Sequence, residues 1–231
     1  MVMQEQLKEL FQSRDKTARV VIEDGDRPAG SRIGGLPPDA VDPPTCPLSG
    51  RAMEYLLTLE HDLLPLLPAG KAISIYVTPD PDALSRSMAV FVSKYPAIER
   101  TIAVVFHVAS QRGESGPASP VGGRALAISD VTRDMEELEE DEDDIESNPV
   151  LSTKIGGRPG VLQSSWDMSV TALDKNGYMF LFQFAEYYPS DDMKPGTFYF
   201  GGGTLFVYAK REDGTQGPDC DFNDIIAFWE V

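Results

Sequence analysis

The most specific chemical signal in this chain is the spacing of oxygen ligands in G-P-D-C-D-F-N-D-I-I-A-F-W-E. Asp219, Asp221 and Asn223 stand at positions one, three and five of a calcium-loop spacing, with Glu230 at position twelve. Position six, where such a loop needs glycine for its sharp turn, is Asp224, and the flanks read as strands, so an EF-hand is excluded. Two readings stay open. Either Asp219, Asp221, Asn223 and Asp224 chelate one Ca²⁺ at a strand entry, or Asp221 and Asn223 form an Asx-type turn with nearby backbone N–H groups. A cytoplasmic setting, where free Ca²⁺ is scarce, favours the turn, and no other cofactor is expected.

Nucleophiles and proton carriers are sparse. The two histidines are His61, between Glu60 and Asp62, and His107, in T-I-A-V-V-F-H-V. The first reads as a surface residue and the second as a core or edge histidine of a strand. Neither Cys46 nor Cys220 sits in a C-x-x-C or beside a histidine that would depress its pKa, and no G-x-S-x-G occurs. Enzyme activity is therefore not the leading expectation; a hydrolase without a recognisable motif is kept as an alternative. Two cysteines cannot build a disulfide framework, which fits a reducing, cytoplasmic home.

Charge is the other chemical feature. Twenty basic against 37 acidic side chains give −17, which argues against nucleic acid or an anionic membrane as partner. Ten of the acids are Asp134, Glu136, Glu137, Glu139, Glu140, Asp141, Glu142, Asp143, Asp144 and Glu146, with no base among them. Taking that −10 from −17 leaves −7 for the rest of the chain. The segment is either a solvated, self-repelling spacer or a docking strip for a basic protein or peptide segment.

The composition must supply a frame for these groups. Hydrophobic residues are 42% and charged residues 25%, ordinary globular values that rule out wholesale disorder and collagen-like structure. No apolar run reaches the roughly 20 residues of a membrane-spanning helix. Leu7, Leu10 and Phe11 fall at helical spacing, so residues 4–13 read as a short amphipathic helix. Strands are expected at 18–22, 53–59, 72–77, 102–109, 125–129, 178–184, 197–200, 204–209 and 225–231, from β-branched and aromatic runs bounded by turn signals. Residues 28–50 hold too many Pro and Gly for regular structure. Residues 83–93 read as helix or strand. The gaps lack helical periodicity, so antiparallel pairing is favoured. The fold class expected is α+β, predominantly antiparallel β.

One internal repeat organises the chain. Residues 31–37 read S-R-I-G-G-L-P and residues 153–159 read T-K-I-G-G-R-P. Each is followed by an irregular stretch, an aromatic-aliphatic strand, a Pro-containing turn and a Gly-led strand. Two tandem, diverged β-rich units with a short N-terminal helix are expected, at residues 1–130 and 151–231, joined by an acidic segment at 131–150. The paired glycines read first as a structural turn, because neither copy carries the glycines or Lys-Ser/Thr of a phosphate loop. If the loops contact a partner instead, Arg32 and Lys154 are the residues that matter. Tyr187 and Tyr188, in A-E-Y-Y-P-S-D-D, are the aromatic contact candidates, with core packing the competing account.

R-I-G-G-L-P with L-L-T-L-E downstream, and K-I-G-G-R-P-G-V-L-Q with L-F-Q-F downstream, resemble the bacterial YwqG-like proteins. The likeness covers most of the chain from Ser31 onward. That family is similar to programmed cell death protein 2, a dedicated binder of a ribosomal protein, and some members sit among toxin genes. The resemblance implies an immunity-like or client-specific chaperone-like binder and brings no catalytic residues with it. C-P-L-S-G-R-A-M also resembles half of a zinc ribbon, but Ser49 stands where the second cysteine belongs, so a metal-free knuckle is expected at Cys46.

Overall fold

The computed structural model describes residues 8–11, 16–23, 29–47, 49–79, 102–110, 119, 122–134, 153–160, 164–185, 203–212 and 219–230. Most of this is antiparallel β-structure with one short helix. The chain divides into two compact units. One comprises Ile22–Asp62 and Leu67–Leu126 and is called the Arg32 unit. The other comprises Met1–Val21, Leu63–Leu66 and Ala127–Val231 and is called the Lys154 unit.

In the Arg32 unit the strand order begins with the first residues of β6 (Arg124–Asp134) and continues through β2 (Arg32–Ile33), β3 (Glu54–Glu60), β4 (Lys71–Val77) and β5 (Ile102–Val108). The central strands are buried on both faces, which is why E-Y-L-L-T-L-E and K-A-I-S-I-Y-V read as nearly continuous apolar runs. β5 closes the order and is half-buried along most of its length, ending on Val108 at 58% exposure. Tyr55 opposes Tyr76 across β3 and β4, their rings meeting edge-on at 5.8 Å and 63°. Both belong to a core cluster with Val41, Cys46 and Met53.

In the Lys154 unit the order is β1 (Lys16–Glu23), β7 (Lys154–Ile155), β8 (Tyr178–Ala185), β9 (Thr204–Arg211) and β10 (Cys220–Glu230). Every residue of β8 is buried. Phe180 opposes Tyr208, again edge-on, at 5.5 Å and 62°.

The same local pattern runs through each unit. Ile33 pairs with Leu57, and Ile155 with Phe182. A register shift follows at the same place, between Tyr55 and Leu57 in β3 and between Phe180 and Phe182 in β8. Gly34 N–H donates to Leu56 O at 2.7 Å, and Gly156 N–H to Leu181 O at 3.2 Å. On the other side of the motif, Leu126 N–H donates to Ser31 O at 2.9 Å and Val20 N–H to Thr153 O at 2.8 Å.

The I-G-G turn explains its own composition. Gly34 and Gly35 have φ of 71° and 74°, and Gly156 and Gly157 have 65° and 70°, the left-handed region that a Cβ disfavours. Space is short as well: a Cβ on Gly156 would stand 2.8 Å from Leu10 Cβ.

Several expectations change in detail. Residues 28–50 contain β2 after all, because two residues suffice to pair on both sides in the ladder. The stretch after the second motif is not irregular: Ser164–Lys175 forms a helix, α1. Its Ser, Thr and Asp content masks helical periodicity, and Asn176-Gly177 closes the helix. Asn176 N–H donates to Ala172 O at 3.0 Å and Gly177 N–H to Asp174 O at 2.9 Å, with Gly177 at φ 75°. The last strand starts at Cys220, not at Ile225. Of the expected N-terminal helix, Lys8 and Glu9 are helical and Leu10 and Phe11 form the turn that follows, with Phe11 N–H donating to Lys8 O at 3.2 Å; the rest lies outside the described residues, as do 83–93 and 197–200. Among the described residues, no helix is long and apolar enough to cross a membrane.

Candidate functional site

β2 holds Arg32 between β6 and β3, opposite Ala125 and Thr58. Its side chain is 1% exposed. Nη1 donates to Gly30 O at 3.1 Å and lies 3.6 Å from Glu60 Oε1, while Gly30 N–H also donates to Glu60 Oε1 at 3.1 Å. Burial pushes the Glu60 carboxyl above its usual range; the Gly30 bond opposes that, and the Asp62 charge adds to it. Ser31 ties the corner together, donating its hydroxyl to Asp62 Oδ1 at 2.5 Å and accepting Glu60 N–H at 2.8 Å. Arg32 Nε and Nη2 have no hydrogen-bond partner among the described residues.

β7 holds Lys154 in the corresponding position, between β1 and β8, opposite Arg19 and Gln183. It is 0% exposed, and among the described residues nothing accepts a hydrogen bond from Nζ. Burial alone pulls its pKa down from 10.5 to about 7. Thr153 Oγ1 accepts Ala185 N–H at 3.1 Å, as Ser31 Oγ accepts Glu60 N–H. Gln183 Oε1 accepts Gly160 N–H at 2.8 Å, and Thr17 Oγ1 donates to Ile155 O at 2.9 Å. The units differ at one decisive place: where the Arg32 unit has Glu60, the Lys154 unit has Ala185. Arg32 and Lys154, expected as contact residues if the motif loops bind a partner, are thus packed inside their units.

A polar chain that sequence reasoning missed crosses the Arg32 unit. Tyr55 OH donates to Thr58 Oγ1 at 2.9 Å; Thr58 and Ser74 hydroxyls are 2.7 Å apart; Ser74 Oγ is 2.8 Å from His107 Nε2. His107 Nδ1 is 2.8 Å from Val108 O, which accepts. A proton on Nδ1 leaves Nε2 as an acceptor, so Ser74 donates to it and Thr58 donates to Ser74. Burial lowers the His107 pKa, in keeping with a neutral ring, and raises that of Tyr55 to about 12. Hydroxyl-to-imidazole donation is the pairing that activates a serine nucleophile. Ser74 is 0% exposed and shares its oxygen with Thr58, so here the pair satisfies buried polar groups of three adjacent strands. Strand alternation alone cannot show this chain, because the bulge in β3 and the β4–β5 register set who faces whom.

The D-C-D-F-N-D segment lies within β10 as a bulge. Asp221 pairs with Lys210 and Ile225 with Ala209, so Phe222, Asn223 and Asp224 are extra residues opposite none. Asp221 Oδ1 accepts both Asn223 N–H at 2.9 Å and Asn223 Nδ2 at 3.0 Å, the Asx-turn arrangement. Asp224 accepts the Tyr178 hydroxyl at 2.9 Å on Oδ1 and 3.0 Å on Oδ2. Among the described residues, no three His, Cys, Asp or Glu side chains gather as a metal cluster. Cys46 is buried in the cluster named above, its backbone closing the knuckle through Gly50 N–H to Cys46 O at 2.8 Å.

Asp134 ends β6, its side chain not among those described. Glu136, Glu137, Glu139, Glu140, Asp141, Glu142, Asp143, Asp144 and Glu146 lie outside the described residues, as do Tyr187 and Tyr188. Neither a scan against protein-family models nor a search of curated proteins finds a match for this chain.

Proposed function

We propose that the chain is a non-enzymatic, cytoplasmic protein-binding module that masks a basic partner protein or peptide segment, in the manner of an immunity protein or a client-specific chaperone. The observation that carries this reading is the charge: −17 overall, with ten of the acids between Asp134 and Glu146. Such a field attracts basic surfaces and repels nucleic acid and anionic lipid. β5, half-buried, apolar in sequence and last in its strand order among the described residues, is the contact strip in this reading.

The scaffold in this proposal is a pair of tandem, diverged β-rich units of the YwqG-like kind. The matched motif pairing, the matched bulges in β3 and β8, and the edge-on ring pairs Tyr55–Tyr76 and Phe180–Tyr208 support a shared origin. Affinity capture from native lysate tests the function. The intact chain should retain basic proteins at low salt and lose most of them at high salt. A variant with residues 134–146 replaced by a Gly/Ser linker should retain few at either. Identical capture by both chains at both salt levels would defeat the proposal.

A further inference from the structure

We propose that Lys154 marks a binding site for a small carboxylate in the Lys154 unit, the carboxylate standing where the Glu60 side chain stands in the Arg32 unit. The two units carry the same motif and differ at this position. Arg32 and Lys154 follow a hydroxyl residue and precede I-G-G in both motifs. Ser31 and Thr153 each accept the N–H of the residue two beyond the motif cation's register partner: Thr58 and then Glu60, Gln183 and then Ala185. Glu60 opposes Ala72 and Ala185 opposes Thr204 in the next strand of each unit. Glu60 and Ala185 are therefore equivalent. Glu60 brings a carboxylate to 3.6 Å from the Arg32 guanidinium; Ala185 brings none to Lys154.

A fully buried cation with no counter-charge among the described residues is the rare case, since buried charges are paired or lose their charge. The atoms Ala185 lacks relative to Glu60 are Cγ, the carboxyl carbon and its oxygens, which are the heavy atoms of acetate. A two-carbon carboxylate, or the end of a larger one, would complete the pair and restore the ammonium. The lowered Lys154 pKa fits a site whose charged form waits for its anion. The same carboxylate chemistry is carried by the chain's own acids between Asp134 and Glu146, and the test separates the two sources.

The full chain, carrying ¹³C,¹⁵N-labelled lysine, is titrated by NMR in acetate and in chloride at equal ionic strength, with the Lys154 signal assigned by K154M. Acetate should raise the Lys154 ionisation midpoint saturably, by about one unit or more. Ala185→Glu should raise it without acetate and abolish the response. A midpoint already high in chloride, which falls when residues 134–146 become a Gly/Ser linker and then responds to acetate, would place the carboxylate in the acidic segment and uphold the site. A midpoint that acetate leaves unmoved in both the intact chain and the linker variant would overturn the proposal, whatever A185E does. The site is independent of partner masking: acetate binding by a linker variant that captures no partner would leave this inference standing.

Discussion

Replacing Lys154 with methionine should stabilise the protein, although it removes a charged side chain. In the unfolded chain the lysine ionises at its ordinary 10.5, and burial in the fold lowers that to about 7. Each unit of difference is about 1.36 kcal/mol, so burying this amine opposes folding by roughly 4 kcal/mol at neutral pH. Local relaxation and water entry reduce that, leaving an expected gain of about 2–4 kcal/mol for K154M. Methionine has nearly the same length, is unbranched and needs no hydrogen bond, so little packing is lost. For a chain of this size that is a rise in Tm of roughly 5–15 °C. The sign also fixes the pH dependence. Between about 7 and 10.5 the unfolded chain holds more protons than the folded one, so stability rises with pH across that window and falls as pH returns to about 7. K154M should lack this slope, and the two proteins should converge as pH approaches 10.5. Urea unfolding of both at several pH values in a chloride buffer free of carboxylates reads the difference directly. A K154M protein no more stable than the parent, with a parallel pH profile, would mean that the ammonium is paired or hydrated, and the burial argument would fail.

Other outcomes follow from the same geometry. Gly156→Ala should cost about 2–4 kcal/mol, combining left-handed strain with overpacking against Leu10, whereas Gly50→Ala, with nothing within 4 Å of the new Cβ, should cost only about 1–2 kcal/mol by thermal unfolding. The lowered His107 pKa means the unfolded chain gains protons first, so stability should decline as pH falls below 6.5 and level off beneath the folded value; His107→Gln should flatten that decline in acid-titration unfolding curves. Ser74→Ala, which breaks the chain between Thr58 and His107, should cost about 1–3 kcal/mol in urea, and equal stability would show the chain to be slack. Chelator and millimolar Ca²⁺ should leave the same unfolding midpoint in the parent and in Asp221→Ala; a Ca²⁺-dependent rise that Asp221→Ala abolishes would restore the ion-binding reading of the bulge.

The strands were legible because their apolar runs are long and bounded by Gly and Pro: β3, β4, β5, β8 and β9 all fall within a residue or two of expectation. The I-G-G repeat was legible too, since φ near 70° leaves few alternatives to glycine. β2 was hidden because a two-residue strand has no periodicity; it exists only through its neighbours. α1 was hidden because S-S-W-D-M-S-V-T-A-L-D-K has few strong helix formers, and its boundary is set by the Asn176-Gly177 cap. The contrast between Glu60 and Ala185 needed register, since a bulge lies between each and the start of its strand. The burial of Arg32 and Lys154 was equally invisible, because a cation next to glycine reads as surface until both flanking strands are placed.

The proposed masking role rests on charge acting at a distance, and association kinetics address it most directly. The basic protein captured by the intact chain should be measured against that chain and against the 134–146 linker variant, at low and at high salt. Ten carboxylates act over about a Debye length, roughly 8 Å at physiological ionic strength, and chiefly speed encounter. The linker variant should associate at least about tenfold more slowly at low salt and nearly as fast as the parent at high salt, with dissociation rates alike throughout. Equal association rates for the two chains at low salt would contradict the account.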